Sequence, residues 1–279
     1  MSSPMPRPDG WHPTCSHVTA GDSAQTSGKL SQEVTTKTLS SQLLLASTCQ
    51  GGQSSLDFRI RPATNSAEYR AAAYLRASAF ATYPSDRSEQ ATRMHQRMKA
   101  DAEWEGLEER ITGKDLLYEN IRVVSLMATI DDAKDDQLAA AVRGAMDLSC
   151  KLPADGELPP QLVIGTLDIN QGPKLPAEAL VGQHPVGAGS LTGRAYFSDV
   201  CVAAAARRRG VAAALIEAAC RKAAARGVQY MYTHVHASNI AAVQLYSQRC
   251  GFTVEQSEKI AYARAGNRPK QLLLVRPIG

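Results

Sequence analysis

Apolar positions along the chain change between a two-residue and a helical period several times. Phe58-Arg-Ile-Arg-Pro alternates and predicts a first strand. Between Ser66 and Ala81 the positions Tyr69, Ala72, Ala73, Leu75 and Phe80 follow a helical stripe, which Pro84 closes. A second helix, from about Ser88 to Ile111, carries Trp104 and Leu107 among mixed charges that read as a solvated face. Ile121–Ile130 predicts a strand, Asp131–Asp136 an acidic turn, and the Ala-rich segment after it, to Leu148, has no decided form. Leu162–Ile169 is the next strand, followed by a Gly/Pro-rich connection from Gln171 to Thr192. A connection of that length inside a compact domain is uncommon and usually functional. A β-prone run then ends at Val202, and a small-residue helix begins near Val211. Residues 229–236 predict a buried strand. Ser238 or Asn239 is a natural N-cap for a helix to about Arg249, which Gly251 terminates. Gln271–Pro277 is the final strand. The pattern predicts one α/β domain over residues 56–279, a mixed sheet of about seven strands with helices on both faces.

The turn between the strand ending at Val202 and the helix at Val211 reads Arg207-Arg208-Arg209-Gly210-Val211-Ala212. A strand feeding a helix start leaves backbone N–H groups without partners and presents the positive end of the helix dipole, a ready site for a phosphate or diphosphate. Gly210 lets the backbone approach an anion, and Ala212, Ala213 and Ala214 let the helix pack closely. The string is neither a P-loop nor a dinucleotide fingerprint, both of which need further glycines. Taken alone, the three arginines would serve equally as a solvated face or a basic patch for nucleic acid. The second block runs from the strand at Gln229 into Asn239-x-x-Ala-x-x-x-Tyr246-x-x-x-x-Gly251-Phe252. Asn239 and Tyr246, seven residues apart, fall on nearly one helix face.

Arg207-x-x-Gly210-x-Ala212 resembles the Arg/Gln-x-x-Gly-x-Gly/Ala signature of the GNAT superfamily of N-acetyltransferases, with Ala in the last place. The Asn239–Phe252 string resembles that superfamily's second acetyl-CoA block. From about Asp57 to Ile278 the chain is similar to plant, plastid-type GNAT proteins. Ala73–Pro84, Ile164–Gln171, Ala195–Val202 and Asn267–Leu274 carry that likeness. The resemblance implies a GNAT-like fold in which acetyl-CoA lies between splayed strands. Its pantetheine arm would pair with the backbone at Val200, Cys201 and Val202, and its diphosphate would rest on the amides of 208–213. The implied cofactor residues are thus Val200, Cys201, Val202, Arg207, Arg208, Arg209, Gly210, Val211, Ala212 and Ala213, with Asn239, Ile240, Ala241 and Tyr246 on the second block. A backbone N–H near Val202 would face the thioester oxygen. Tyr246 is the implied proton donor to the leaving thiolate, since a phenol titrating near 10 is protonated at neutral pH. His234 with Tyr196 is similar to a Tyr/His pair that serves as base through an ordered water in some N-terminal acetyltransferases. A satisfied core histidine beside a packed tyrosine is the other reading of those two residues.

Composition limits the alternatives. A formal charge of +4 demands no nucleic-acid partner, and no aromatic-interleaved basic surface accompanies the arginines. Six cysteines without a Cys-x-x-Cys pair indicate neither zinc nor a disulfide framework and fit a reducing compartment, with Cys201 and Cys220 as core positions. His234 and His236 share a strand face but suggest no third ligand, so no metal is expected. No apolar run reaches the roughly 18–20 residues of a membrane span. The first 55 residues hold 18 Ser or Thr, three acids and three bases, the composition of an organelle transit segment or of a disordered tail without an address. The plastid-type resemblance favours a chloroplast transit peptide over residues 1–55.

The function that follows is acetyl-CoA-dependent N-acetylation of protein or peptide amines, N-terminal α-amines and lysine ε-amines, in the plastid. Two alternatives remain: a small-amine acetyltransferase of the arylalkylamine type, and a non-catalytic acyl-CoA-binding regulator, against which Tyr246 argues. The 171–192 connection would form a wall of the acceptor site. The oligomeric state is undetermined at this level.

Overall fold

In the computed structural model, residues 56–279 are described except 82, 85, 133–136, 157, 173–174 and 176–192. The 1–55 leader and nearly all of the 171–192 connection lie outside the described residues.

The strands are β1 (Arg59–Pro62), β2 (Arg122–Asp131), β3 (Lys151–Leu152), β4 (Gln161–Gln171), β5 (Arg194–Val202), β6 (Tyr230–His236), β7 (Thr253–Ser257) and β8 (Gln271–Pro277). They form one eight-stranded sheet in the order β1-β2-β4-β5-β6-β8-β7, with β3 paired to β4 off that path. All pairings are antiparallel except β5 with β6. The helices are α1 (Ser66–Phe80), α2 (Glu89–Thr112), α3 (Gln137–Gly144), α4 (Val211–Ala224), α5 (Ile240–Gln244) and α6 (Ile260–Ala265).

Local chemistry sets the helix ends. Asn65 caps α1 by accepting from the Glu68 N–H at 3.0 Å, and Glu68 reaches back to the Thr64 N–H at 2.6 Å, a reciprocal capping box. Ser88 caps α2 by accepting from the Ala91 N–H, and Gly113 ends it at φ +74°. Strand β4 is buried on both faces from Gln161 to Asn170 because helices cover both. Its alternate side chains therefore meet different helices. Thr166 and Asp168 face Arg76 of α1. Gly165 faces α4, where an added Cβ would come within 3.0 Å of Leu215 Cδ1 and Val211 Cγ1. That close approach seats the start of α4 against the sheet.

Several elements are not legible in the sequence pattern. The Ala-rich segment to Leu148 contains α3, and a 3-10 turn at Leu148–Cys150 and β3 follow it, where no element was predicted. The chain after Phe252 was assigned no structure before the final strand, yet it holds β7 and α6. The sheet has eight strands against about seven predicted. Cys201 and Cys220 are buried core residues, as anticipated.

Candidate active site

Strands β5 and β6 run parallel in register only over Arg194–Tyr196 and Tyr230–Tyr232. Past them a Thr233 hydroxyl still donates to the Phe197 carbonyl at 3.1 Å, and then the strands part. On its other edge β5 stays paired with β4, but the register shifts between Thr166 and Asp168. The extra residue is a bulge centred on Asp199, held at φ +55°. Residues 198–202 thus end as a strand paired on one edge alone, and the other edge borders an opening.

That opening is a cavity of about 770 Å³. Its walls are 200–202 from β5, 206–208 and 210–213 from the turn and first helical turn of α4, Ala241, and four residues at 244, 245, 248 and 249. Ala79 at the end of α1 closes it. Gly210 sits at φ +82° as the N-cap of α4 without a side-chain cap, and the Ala214 N–H makes the first helical bond to its carbonyl. The amides of 211–213 precede that bond and are the donors a helix start leaves over. An added Cβ at Gly210 would meet nothing within 4 Å, so the surface there is open to a ligand. Arg208, also left-handed at φ +64°, and Arg249 are exposed cations at the cavity. Among the described residues that line it, none is acidic. Donors, dipole and guanidinium groups of one sign suit a polyanion such as a diphosphate.

Most of the predicted cofactor positions therefore line one cavity: Val200, Cys201, Val202, Arg207, Arg208, Gly210, Val211, Ala212, Ala213 and Ala241. Arg209, Asn239, Ile240 and Tyr246 do not. Arg207 has a second task, its Nε donating to the Val202 carbonyl at 3.1 Å and tying the turn to the strand end. Asn239 caps α5, its side chain accepting from the Ala242 N–H at 3.2 Å, and Ile240 is exposed. Six lining residues were missed, Ala79, Ala206, Gln244, Leu245, Gln248 and Arg249. The i, i+4 spacing of the two glutamines on the helix after Asn239 was the signal available.

Tyr246 lies in a π-helical turn, Leu245–Arg249, that continues α5. A π-turn re-aims the residues within it, so the seven-residue spacing from Asn239 does not translate into one shared face. The Tyr246 ring is fully buried, 5.7 Å from the Phe197 ring and 6.3 Å from the Phe252 ring between centroids.

On the opposite face of β5 and β6, the Tyr196 and His234 rings lie 5.7 Å apart. Tyr196 packs with Tyr232, Leu273 and Leu175 in a small apolar cluster. His234 is 3% exposed, and neither ring nitrogen has a hydrogen-bond partner. Burial pushes its pKa down to about 4; the nearby Glu258 carboxylate opposes this and Arg268 adds to it. This lies well below the usual histidine value near 6.5, because burial disfavours the charged imidazolium. Glu258 itself is held by Arg268 and the Gln271 N–H, at 2.8 and 3.0 Å, at the base of the β7–β8 connection.

Residues 131–252 match the model of the acetyltransferase (GNAT) family. Over those residues the chain carries a GNAT acetyltransferase domain. It is 39% identical over 180 residues to GCN5-related N-acetyltransferase 7, chloroplastic, of Arabidopsis thaliana, covering 64% of this chain and 62% of that protein. It is 34% identical over 104 residues to GCN5-related N-acetyltransferase 6, chloroplastic, of the same plant, covering 35% of this chain and 36% of that protein. The chain thus spans about three fifths of the first of these relatives and about a third of the second. Among solved structures it is similar to Arabidopsis thaliana NAA60 in complex with acetyl-CoA, at 18% identity and a TM-score of 0.46, covering 79% of this chain and 98% of that one. Among the described residues no group of His, Cys, Asp and Glu gathers as a metal site, and no helix is long and apolar enough to cross a membrane.

Proposed function

We propose that the chain transfers the acetyl group of acetyl-CoA to amines of proteins, both N-terminal α-amines and lysine ε-amines, in the plastid. The carrying observation is the cavity opened by the parting of β5 and β6, with its cationic, donor-rich end at the start of α4. The bound co-substrate supplies an activated acetyl thioester. The amides of 211–213 with Arg208 and Arg249 hold its phosphates, and the free edge of 198–202 pairs with its pantetheine amides as an added strand would. A backbone N–H at that edge then faces the thioester oxygen as charge grows on it.

Tyr246 is the proposed donor of the proton that the leaving thiolate takes up. A phenol with an ordinary pKa near 10 is protonated at neutral pH, and the residue before it in the chain, Leu245, lines the cavity. On the acceptor side, a neutral His234 and the Tyr196 hydroxyl orient a water and the incoming amine. With a pKa near 4, His234 holds a proton poorly, so it relays one better than it stores one. An α-amine titrating near 8 needs only such weak help, whereas a lysine near 10.4 needs more.

The names of the two chloroplastic relatives and the acid-poor leader support a plastid address. Expression of residues 56–279 in bacteria, followed by mass spectrometry of host proteins, tests the activity. Added acetylation of N-termini and lysines is expected. A rise in neither, with turnover of arylalkylamines instead, would replace the protein-acceptor reading by the small-amine one.

A further inference from the structure

Beneath the Asp199 bulge lies a buried polar network that neither the cofactor cavity nor the Tyr196–His234 face uses. Its centre is Arg76 of α1, with no exposed surface. Arg76 Nη1 and Nη2 donate to both Asp168 oxygens at 2.8 and 2.5 Å, and Nη1 also donates to Glu103 of α2 at 3.0 Å. Nη2 donates to Ser125 Oγ at 3.3 Å, and Nε donates to Thr166 Oγ1 at 3.0 Å. Thr166 Oγ1 in turn donates to the Asp199 carbonyl at 3.3 Å.

The direction of this relay is fixed by chemistry. A guanidinium carries only donors, so the Thr166 hydroxyl must accept from Arg76, and its own proton is left for an acceptor. That acceptor is the carbonyl of the one left-handed residue in β5. The same residue is held from its side chain as well: Ser198 Oγ donates to Asp199 Oδ2 at 2.9 Å, and Asn170 Nδ2 donates to Ser198 Oγ at 3.4 Å. A non-glycine residue at positive φ persists only where its surroundings over-determine it. Here they grip both its carbonyl and its carboxylate. Asp199 immediately precedes Val200, Cys201 and Val202, the strand edge that borders the cavity.

We propose that Thr166, held by Arg76, is a positioning residue for acetyl transfer: it locks the bulge that aims the 199–202 backbone at the thioester. The inference rests on the acetyl-transfer reading above. It predicts that Thr166 affects the chemical step far more than cofactor binding, because the phosphates are held elsewhere, at the start of α4, and only the pantetheine runs along 198–202. Ser125 provides the internal control. It takes an Arg76 hydrogen bond of similar length and is equally buried, but it does not touch the bulge.

The test compares Thr166→Val, Thr166→Ser and Ser125→Ala in steady-state kinetics and in amide exchange across residues 198–202. Thr166→Val keeps the shape and removes the relay. It should lower kcat on the order of 10–100-fold, as a displacement of about 1 Å does, with a much smaller rise in KM for acetyl-CoA. It should also speed amide exchange in 198–202. Thr166→Ser restores the hydroxyl and should recover most of kcat, and Ser125→Ala should change neither readout. Equal losses in Thr166→Val and Ser125→Ala, or a loss of acetyl-CoA affinity as large as the loss of kcat, would mean a role in stability only and overturn the proposal. If the wild type transfers acetyl to no amine, the functional reading fails, and the exchange data decide this one: unchanged exchange at 198–202 in Thr166→Val refutes it.

Discussion

The unpartnered His234 makes the protein's stability depend on pH in a way that one substitution isolates. In the unfolded chain a histidine titrates at about 6.5. In the folded chain His234 is pushed down to about 4 by burial, with Arg268 adding to the shift and Glu258 opposing it. Between those values the unfolded state binds a proton that the folded state refuses, so stability falls as pH drops through 6.5 and goes on falling to about 4. At pH 5 the loss from this residue is RT ln[(1 + 10^1.5)/(1 + 10^−1)], about 2 kcal/mol, and the whole shift corresponds to about 3.4 kcal/mol. His234→Leu removes the titration and the two buried ring nitrogens without a partner, at similar volume. Urea unfolding of both proteins at pH 8 and pH 5 gives the difference between them at each pH. The other five histidines of the sequence remain in both proteins and cancel. The variant should gain about 2 kcal/mol relative to wild type between the two pH values, whatever their order at pH 8. Parallel pH dependences would show that the folded imidazole takes up its proton as the unfolded one does, and would refute its neutrality. The same neutrality has a kinetic consequence: the acid limb of kcat/KM should follow the pKa of the acceptor amine and show no step near 6.5.

Gly210→Asp should weaken acetyl-CoA binding strongly in calorimetry, because it meets no atom within 4 Å but sets a negative charge at the phosphate site; the strain of an L side chain at φ +82°, about 1–3 kcal/mol, lowers the melting curve equally in Gly210→Asn. Gly210→Asn has the same shape without the charge and should bind markedly better; equal affinities for the two would move the phosphates elsewhere. Tyr246→Phe keeps the ring between Phe197 and Phe252, so it should fold normally and bind acetyl-CoA while kcat falls about 10²–10⁴-fold. Near-wild-type kcat would assign the proton to another donor. Arg76→Met leaves the Asp168 and Glu103 carboxylates buried without their cation and should cost about 3–5 kcal/mol in chemical denaturation; a loss below 1 kcal/mol would mean that Arg110 compensates, since it approaches Glu103 at 3.4 Å.

What could be read in advance and what could not divides along physical lines. The cofactor end of the site was legible because it is built from backbone. Arg207-x-x-Gly210-x-Ala212 demands a left-handed turn and a close helix start, and the chain supplies both where the string stands. The acceptor side depends on how side chains from distant strands meet, and sequence position says little about that. His234 and Tyr196 could be paired from the family likeness, but the two unpartnered nitrogens, and with them the pKa, follow from packing against β8 and the Glu258–Arg268 base of the β7–β8 connection. Strand β7 escaped notice because Thr253–Ser257 is an exposed edge that shows no buried alternation. Arg76 escaped for a sharper reason. In sequence it is one charged residue on an alanine-rich helix, and the bland expectation for it is solvent. Its burial depends on Asp168, Glu103, Ser125 and Thr166 arriving from three other elements. A buried cation of this kind is tolerated only when every donor finds an acceptor. That requirement places a threonine hydroxyl between Arg76 and the Asp199 carbonyl, and so couples a helix that lines almost none of the cavity to the strand edge where the thioester would lie.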